Sequence, residues 1–343
     1  MNLSRGQSAE RLNVIGSGSW GTALAILACK NLDNVCLWGR SRCESLQSDR
    51  ENRRYLPGVN FPQNLSIAST LAETVEPGLC FLLVIPSHAF AETATRLHEL
   101  IVETGHDPGN ATVLWGTKGF DPDSGDLPGE IIDGIFPNST RRGVLSGPSF
   151  AAELARGLPT ALTLACHQPG VAECLAHWFR SPSTRVYFSD DPVGVQLGAA
   201  IKNVMAIATG ISDGLGYGAN ARAALITRGL AEMTRLGIAL GGRQETFSGL
   251  TGVGDLVLSC TDDQSRNRRF GKGIGAGRSR EAVSQEIDQE IEGIRTTREL
   301  HRKALGLGVE MPITEHVFSV LYEGMAPDEA VRRLLGRDPK AEH

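Results

Sequence analysis

A chain of 343 residues exceeds the size at which one core usually keeps growing, so two domains are expected. A hydrophobic content of 41%, a charged content of 21% and a formal net charge of −5 describe an ordinary globular chain. They exclude a disordered or fibrous protein and an overall basic surface for nucleic acid. The seven cysteines (Cys29, Cys36, Cys43, Cys80, Cys166, Cys174 and Cys260) are odd in number and lack CxxC or Cys/His zinc spacing, so reduced thiols, no metal and no disulfide are expected.

In chain order, the opening MNLSRGQSAE is polar, without the apolar core of a secretory signal, and predicts a cytoplasmic chain with a short solvated lead. Apolar runs at 12–15, 35–38, 80–85, 112–115, 143–145, 161–165 and 185–188 alternate with segments of helical spacing such as 22–31 and 88–102. The run LCFLLVI (79–85) stops at Pro86, far short of the roughly 20 residues of a membrane helix, and reads as a buried strand. No membrane insertion is expected. After Asp190-Asp191-Pro192 the strand-like runs give way to alanine- and leucine-rich segments at 195–211 and 220–240. The fold class is therefore α/β: an N-terminal Rossmann-like, mainly parallel sheet with helices on both faces, plus an all-α C-terminal domain. The boundary is set at 190, with a dinucleotide-binding domain over 11–190 and a helical substrate and catalytic domain over 191–336. The tail GRDPKAEH (336–343) reads as a frayed end.

Gly16-Ser17-Gly18-Ser19-Trp20-Gly21 follows the first strand and opens a helix, the context in which GxGxxG is a phosphate loop. Gly16 permits the tight turn, Gly18 lets the backbone approach a pyrophosphate, and Gly21 lets the helix pack on the strand. The amides of Ser19 and Trp20 then face the phosphates, where the helix dipole favours negative charge. About 20 residues on, where an acidic residue selects NAD, the chain reads Trp38-Gly39-Arg40-Ser41-Arg42. Arg40, with Arg42 beside it, suits the 2′-phosphate of NADP, a solvated arginine pair being the other reading. The second glycine run, 271–277, has no preceding strand and reads as a flexible helix terminus or loop.

Hydride transfer from an alcohol needs a group that takes the hydroxyl proton. The eight histidines lie in polar, capping or terminal contexts. Lys202 lies inside the apolar stretch 198–206, where desolvation disfavours its charged form and a carboxylate such as Asp255 can orient it. A lysine snorkelling to the helix surface is the alternative. Lys118 follows the run 112–116 and should project from a strand's carboxyl end, where open parallel sheets bind ligands. Gly147 and Ser149, in Ser146-Gly147-Pro148-Ser149-Phe150, follow the next strand, although Gly-Pro-Ser alone is turn chemistry. Ser265-Arg266-Asn267-Arg268-Arg269, preceded by Ser259-Cys260-Thr261, offers donors suited to a small phosphate dianion at a helix start. A solvated basic face is the competing reading.

Taken together, GSGSWGTALA (16–25), LWGR (37–40), VIPSHAF (84–90), GTKG (116–119), SGPSFAAELARGLPTA (146–161), GVQLGAAIKNVMAIATGISDGLGYGANARAALITRGLAEM (194–233) and GVGDLVLSCTDDQSRNRRFG (252–271) resemble the bacterial type of the NAD(P)-dependent glycerol-3-phosphate dehydrogenase family. The resemblance spans 11–336. It implies reversible reduction of dihydroxyacetone phosphate to sn-glycerol 3-phosphate for glycerophospholipid biosynthesis. By the match, Lys202 is the proton acceptor and a substrate contact, and Lys118, Gly147, Ser149, Asp255, Ser265, Arg266 and Asn267 surround the substrate. Ser19, Trp20, Arg40, Lys118, Ala151, Arg266 and Glu292 contact the cofactor. Glu290 contributes through its backbone, the family more often having an apolar residue there. NADPH/NADP is the preferred cofactor and NADH/NAD the second, since members often accept both. Helical second domains commonly supply dimer surfaces, so a homodimer is compatible.

Two alternatives remain at the level of sequence. A related two-domain dehydrogenase of 3-hydroxy acids or of a 6-phosphogluconate-like substrate also places a lysine on the first helix of its second half. A dinucleotide-sensing module without chemistry has no need of Lys202 and Asp255, both of which are present.

Overall fold

The computed structural model describes residues 11–75, 78–168 and 170–336. The expected solvated lead and all of the expected frayed tail beyond Gly336 lie outside them. The chain divides into two compact units: one extends to Asp121 and resumes over Asp126–Pro192, the other comprises Pro122–Gly125 and the chain from Val193 onward.

The first unit is built on an eight-stranded sheet in the order β10-β9-β8-β7-β6-β1-β2-β5. The strands are β1 (Arg11–Ile15), β2 (Asn34–Trp38), β5 (Leu65–Ala68), β6 (Cys80–Leu83), β7 (Thr112–Trp115), β8 (Arg141–Ser146), β9 (Thr160–Ala165) and β10 (Thr184–Ser189). A small antiparallel hairpin pairs β3 (Glu51–Asn52) with β4 (Leu56–Asn60). The helices are α1 (Ser19–Ala28), α2 (Cys43–Asp49), α3 (Phe90–Glu103), α4 (Pro128–Ile135), α5 (Ala151–Ala155) and α6 (Val171–Ala176).

β1 lies inside the sheet, paired in parallel with β2 and β6. Leu12, Asn13, Val14 and Ile15 are all fully buried, so both faces of the strand are covered. After β5 the chain crosses to β6 on the other side of β1. This topological switch, at the carboxyl ends of β1 and β6, is where open α/β sheets bind ligands. β8 and β9 pair antiparallel, so β9 and β10 run against the other strands. The strand-like runs carried no sign of that reversal, nor of edge strand β5 or the hairpin.

The described residues of the second unit form helices and turns: α7 (Pro192–Gly214), α8 (Ala219–Ala239), α9 (Gln244–Phe247), a π turn (Leu250–Gly254), α10 (Asp255–Thr261), α11 (Arg266–Gly275), α12 (Arg280–Ile287), α13 (Glu292–Leu307), α14 (Pro312–Tyr322) and α15 (Pro327–Leu335). α7 is long and apolar enough to cross a membrane, yet 89% of its apolar stretch is buried, which makes it this unit's core helix. Its Gly210 and Gly214 press on the backbone of α11: a Cβ there would stand 2.2 Å from Arg268 O and 2.3 Å from Lys272 O. Gly271 and Gly275 face back onto Ile207 O and Ile211 O, each at 2.2 Å from a hypothetical Cβ. The glycine run, expected to be a flexible helix terminus or loop, is the carboxyl-terminal end of α11, and over Gly271–Gly275 it is a packed helical face whose missing side chains let two helices touch backbone to backbone.

Candidate functional site

In the first unit, the candidate cofactor residues gather where strands end. Gly16 has φ +126°, and a Cβ there would lie 2.1 Å from Val84 O. A Cβ on Gly21 would lie 2.0 Å from Gly16 O, so this glycine lets α1 begin directly over the turn. Gly18 has open space around its hypothetical Cβ. Among the described residues no atom requires glycine at Gly18, and the space over its backbone is open to a ligand. No side chain caps α1, and its first turn holds no acidic residue, which leaves Ser19 and Trp20 amides at a positive helix end. The buried indole Nε1 of Trp20 has no hydrogen-bond partner among the described residues. These features fit a dinucleotide.

Arg40 and Arg42 are exposed just beyond β2. Arg42 adopts a left-handed conformation, φ 69°, held by Ser45 Oγ and the Leu46 amide donating to its carbonyl at 2.9 and 3.0 Å. Lys118 is partly buried in the loop after β7. Its neighbour Thr117 donates to Ile85 O at 2.9 Å and accepts from the Ile85 amide at 3.2 Å, which ties the loops after β6 and β7 together. Gly147, with φ +138°, takes its turn against β9, where a Cβ would meet Ala161 O at 2.9 Å. Ser149 Oγ donates to Gly147 O at 3.0 Å, and Ala151 opens α5.

In the second unit, Lys202 projects from the middle of α7 with its side chain 12% exposed. Its ammonium stands 3.1 Å from Asp255 Oδ1 and donates to Ser259 Oγ at 2.7 Å. Asp255 and Ser259 lie one turn apart on α10, and Ser259 also donates to Asp255 Oδ1 at 3.4 Å. The alternative of a lysine snorkelling outward is overturned: its head group is fixed between a buried carboxylate and a hydroxyl. The next thiol along α10, Cys260, is pushed up to about 12 by burial and stays protonated beside the lysine.

Asn267, in the first turn of α11, donates to Asn203 Oδ1 at 2.9 Å and accepts from the Gly293 amide at 2.9 Å. Arg266 donates to Gln289 Oε1 at 3.4 Å. Ser265 caps α11 by accepting from the Arg268 amide. Residues 265–267 are thereby assembled with the segment leading into α13, which carries Glu290, paired to Arg295 at 3.7 Å, and Glu292 at the helix start.

Two parts of the basic stretch serve other ends. Arg268 is buried and bound to Asp213 at 2.5 Å, to Asp263 and to Cys260 O at 3.1 Å, so it holds the helices together. Ser259, grouped in the sequence with the phosphate donors, is a partner of Lys202 instead. Asn203 was missed. Its signal was adjacency to Lys202 in an otherwise apolar helix, where a buried amide needs a partner.

The first unit is a dinucleotide-binding fold and the second a helical unit presenting a lysine–carboxylate pair, the combination of a nicotinamide-dependent oxidoreductase. Residues 11–172 match the family described as NAD-dependent glycerol-3-phosphate dehydrogenase N-terminus, and 191–332 match its C-terminus. The glycerol-3-phosphate dehydrogenase [NAD(P)+] of Methylococcus capsulatus is 50% identical over 334 residues, 96% of this chain and 98% of that protein. That of Thioalkalivibrio sulfidiphilus is 51% identical over 332 residues, with the same coverage. A crystal structure of glycerol-3-phosphate dehydrogenase from Coxiella burnetii superposes with a TM-score of 0.90 at 42% identity, covering 96% of this chain and 99% of that one. The chain belongs to the NAD(P)-dependent glycerol-3-phosphate dehydrogenase family, as its motifs implied. It is an oxidoreductase acting on a CH–OH group.

Proposed function

We propose that the chain reduces dihydroxyacetone phosphate to sn-glycerol 3-phosphate, reversibly, with NADPH preferred over NADH, to supply glycerophospholipid synthesis. The observation that carries this reading is the Lys202–Asp255–Ser259 arrangement, a cation held by partners at 3.1 and 2.7 Å on a buried helix. The dinucleotide, when bound, supplies the hydride. Lys202 supplies the proton to the substrate oxygen in the reductive direction, stabilises the developing alkoxide and takes the proton back in the oxidative one. Arg266, Asn267 and Ser265 hold the substrate phosphate, and this remote binding energy orients the reacting end. Lys118, Gly147 and Ser149 also bind the substrate. Gly16, Gly18, Ser19, Trp20, Gly21, Arg40, Lys118, Ala151, Arg266, Glu290 and Glu292 bind the cofactor. The first unit is thus the dinucleotide-binding domain and the second the substrate domain.

A cytoplasmic setting, without membrane insertion, belongs to the same reading, in which a reducing compartment keeps the seven cysteines as thiols. So does a homodimer through the helical unit, supported by Leu305 and Leu307 of α13 at 70% and 48% exposure and testable by sedimentation.

The test follows NADPH absorbance while dihydroxyacetone phosphate or a 3-keto acid is offered with NADPH, and sn-glycerol 3-phosphate, a 3-hydroxy acid or 6-phosphogluconate with NADP+, the NADH/NAD pair being run in parallel. Turnover on dihydroxyacetone phosphate and sn-glycerol 3-phosphate alone is expected. Turnover on a keto or hydroxy acid in their place overturns the substrate assignment, and equal or better efficiency with NADH overturns the cofactor preference. Arg40→Ala should raise KM for NADPH more than for NADH.

A further inference from the structure

Asn52 is a polar residue with 3% exposure on a two-residue strand, and every hydrogen-bonding position of its amide but one lone pair is engaged. Its Nδ2 donates to Ser17 O at 2.8 Å and to Thr22 Oγ1 at 2.8 Å, while its Oδ1 accepts from the Tyr55 amide at 3.2 Å. Ser17 lies between Gly16 and Gly18, so the carbonyl that Asn52 grips belongs to the phosphate loop itself. Asn52 is in turn fixed from behind. Arg50 donates to Leu65 O at 2.7 Å and to Pro62 O at 2.6 Å, and its carbonyl accepts from the Phe61 amide at 2.7 Å. The hairpin is anchored to the sheet's β5 edge and reaches over to the loop after β1.

A trans peptide is planar, with its C=O and N–H pointing in opposite directions. The Ser17–Gly18 peptide is trans, so holding Ser17 O on Asn52 aims the Gly18 amide the other way. That peptide turns about Ser17 ψ and Gly18 φ, and glycine at 18 leaves the second of these open unless something holds the plane. The Ser17 hydroxyl blocks one route: a Cβ on Gly39 would stand 1.9 Å from Ser17 Oγ, so the side chain is packed against the end of β2. The carbonyl is held by Asn52.

We infer that Asn52 is a positioning residue for the cofactor, locking the Ser17–Gly18 peptide so that the Gly18 amide is presented to the dinucleotide pyrophosphate. This rests on the dinucleotide-binding reading of the first unit. Asn52 touches neither cofactor nor substrate; it acts through the loop. Its loss leaves a partly buried carbonyl unpaired and the peptide free to turn.

The experiment compares Asn52→Ala, Asn52→Asp and Thr22→Val with the wild-type chain by NADPH dissociation constant, steady-state kinetics and thermal midpoint, with binding measured well below every midpoint. Asn52→Ala should raise the NADPH Kd and KM about tenfold, the scale of one lost hydrogen bond to a buried acceptor. Its kcat and its KM for dihydroxyacetone phosphate should stay close to wild type. Asn52→Asp, of the same shape but with acceptors facing Ser17 O, should weaken NADPH in the same direction and keeps the test open if the alanine variant fails to fold. Thr22→Val removes the other hydrogen bond of the same Nδ2, and should lower the midpoint while leaving the Kd unchanged. Wild-type NADPH affinity in the Asn52 variants, or losses in all three that merely follow the midpoint, overturns the inference alone. A wild-type chain that binds neither dinucleotide overturns both the inference and the reading beneath it.

Discussion

Lys202 and Asp255 meet at 3.1 Å because Gly198 and Thr251, each one helical turn earlier, are in backbone contact. A Cβ on Gly198 would stand 2.2 Å from Thr251 O, so no other residue lets α7 run this close to the π turn. The π turn is drawn in against α9, where a Cβ on Gly252 would lie 1.9 Å from Phe247 O. The widened turn passes directly into α10 at Asp255, and one turn further Ser259 completes the set. Such single π turns occur often at functional sites.

Asp255→Asn keeps the shape of the side chain and removes the charge opposite the ammonium. Turnover should fall on the order of a hundredfold, the scale of a mispositioned general acid, with NADPH affinity unchanged. Ser259→Ala removes the hydrogen bond at 2.7 Å and should give a smaller loss of the same kind. Steady-state kinetics together with direct cofactor binding separates the two effects; a variant that loses NADPH affinity in step with turnover contradicts the assignment.

Gly198→Ala forces a methyl group onto the Thr251 carbonyl. The cost should be about 1–3 kcal/mol in unfolding free energy, the usual penalty for overpacking. Because the shift separates α7 from α10 at the turn before the lysine, kcat should fall even at temperatures where the variant is fully folded. Denaturant titration and kinetics on one preparation check both; wild-type kcat in a destabilised variant sinks the register argument.

Glu232 is buried in α8 and accepts from the Ile313 and Thr314 amides at 2.6 and 3.2 Å, capping α14 from another helix. Burial pushes its carboxyl up from the ordinary 4.5 to about 7, against those hydrogen bonds and Arg235. The folded state therefore holds this proton more tightly than the unfolded chain. The stabilisation is fully present below pH 4.5 and is lost as pH rises through 7, a linkage of roughly 3 kcal/mol at most. Glu232→Gln should gain stability relative to wild type across that window, read from urea midpoints. A constant difference between the two proteins from pH 4.5 to 8 contradicts the account.

Much of this was legible in the sequence because it is local. The strand, glycine loop and helix at 11–28 form one continuous pattern, and Lys202 declares itself as a charge within an apolar helix. What depends on distant partners was not legible. Arg266 and Arg268 are indistinguishable as letters, yet Asp213, 55 residues away, makes Arg268 an internal brace. Ser259 read as a phosphate donor until Lys202, 57 residues earlier in the chain, was placed beside it. An apolar run carries no direction, which hid the reversal at β9. Glycines 271 and 275 looked like flexibility because the residues they face, Ile207 and Ile211, each lie 64 residues upstream.

The central claim is that Lys202 supplies the proton. Its most direct test is Lys202→Ala assayed for dihydroxyacetone phosphate-dependent NADPH oxidation, with NADPH binding measured on the same sample. The account predicts that turnover falls by about a hundredfold or more, the range of a lost general acid, while NADPH affinity stays at the wild-type value. Near-normal turnover in Lys202→Ala, with the wild-type chain active, contradicts it.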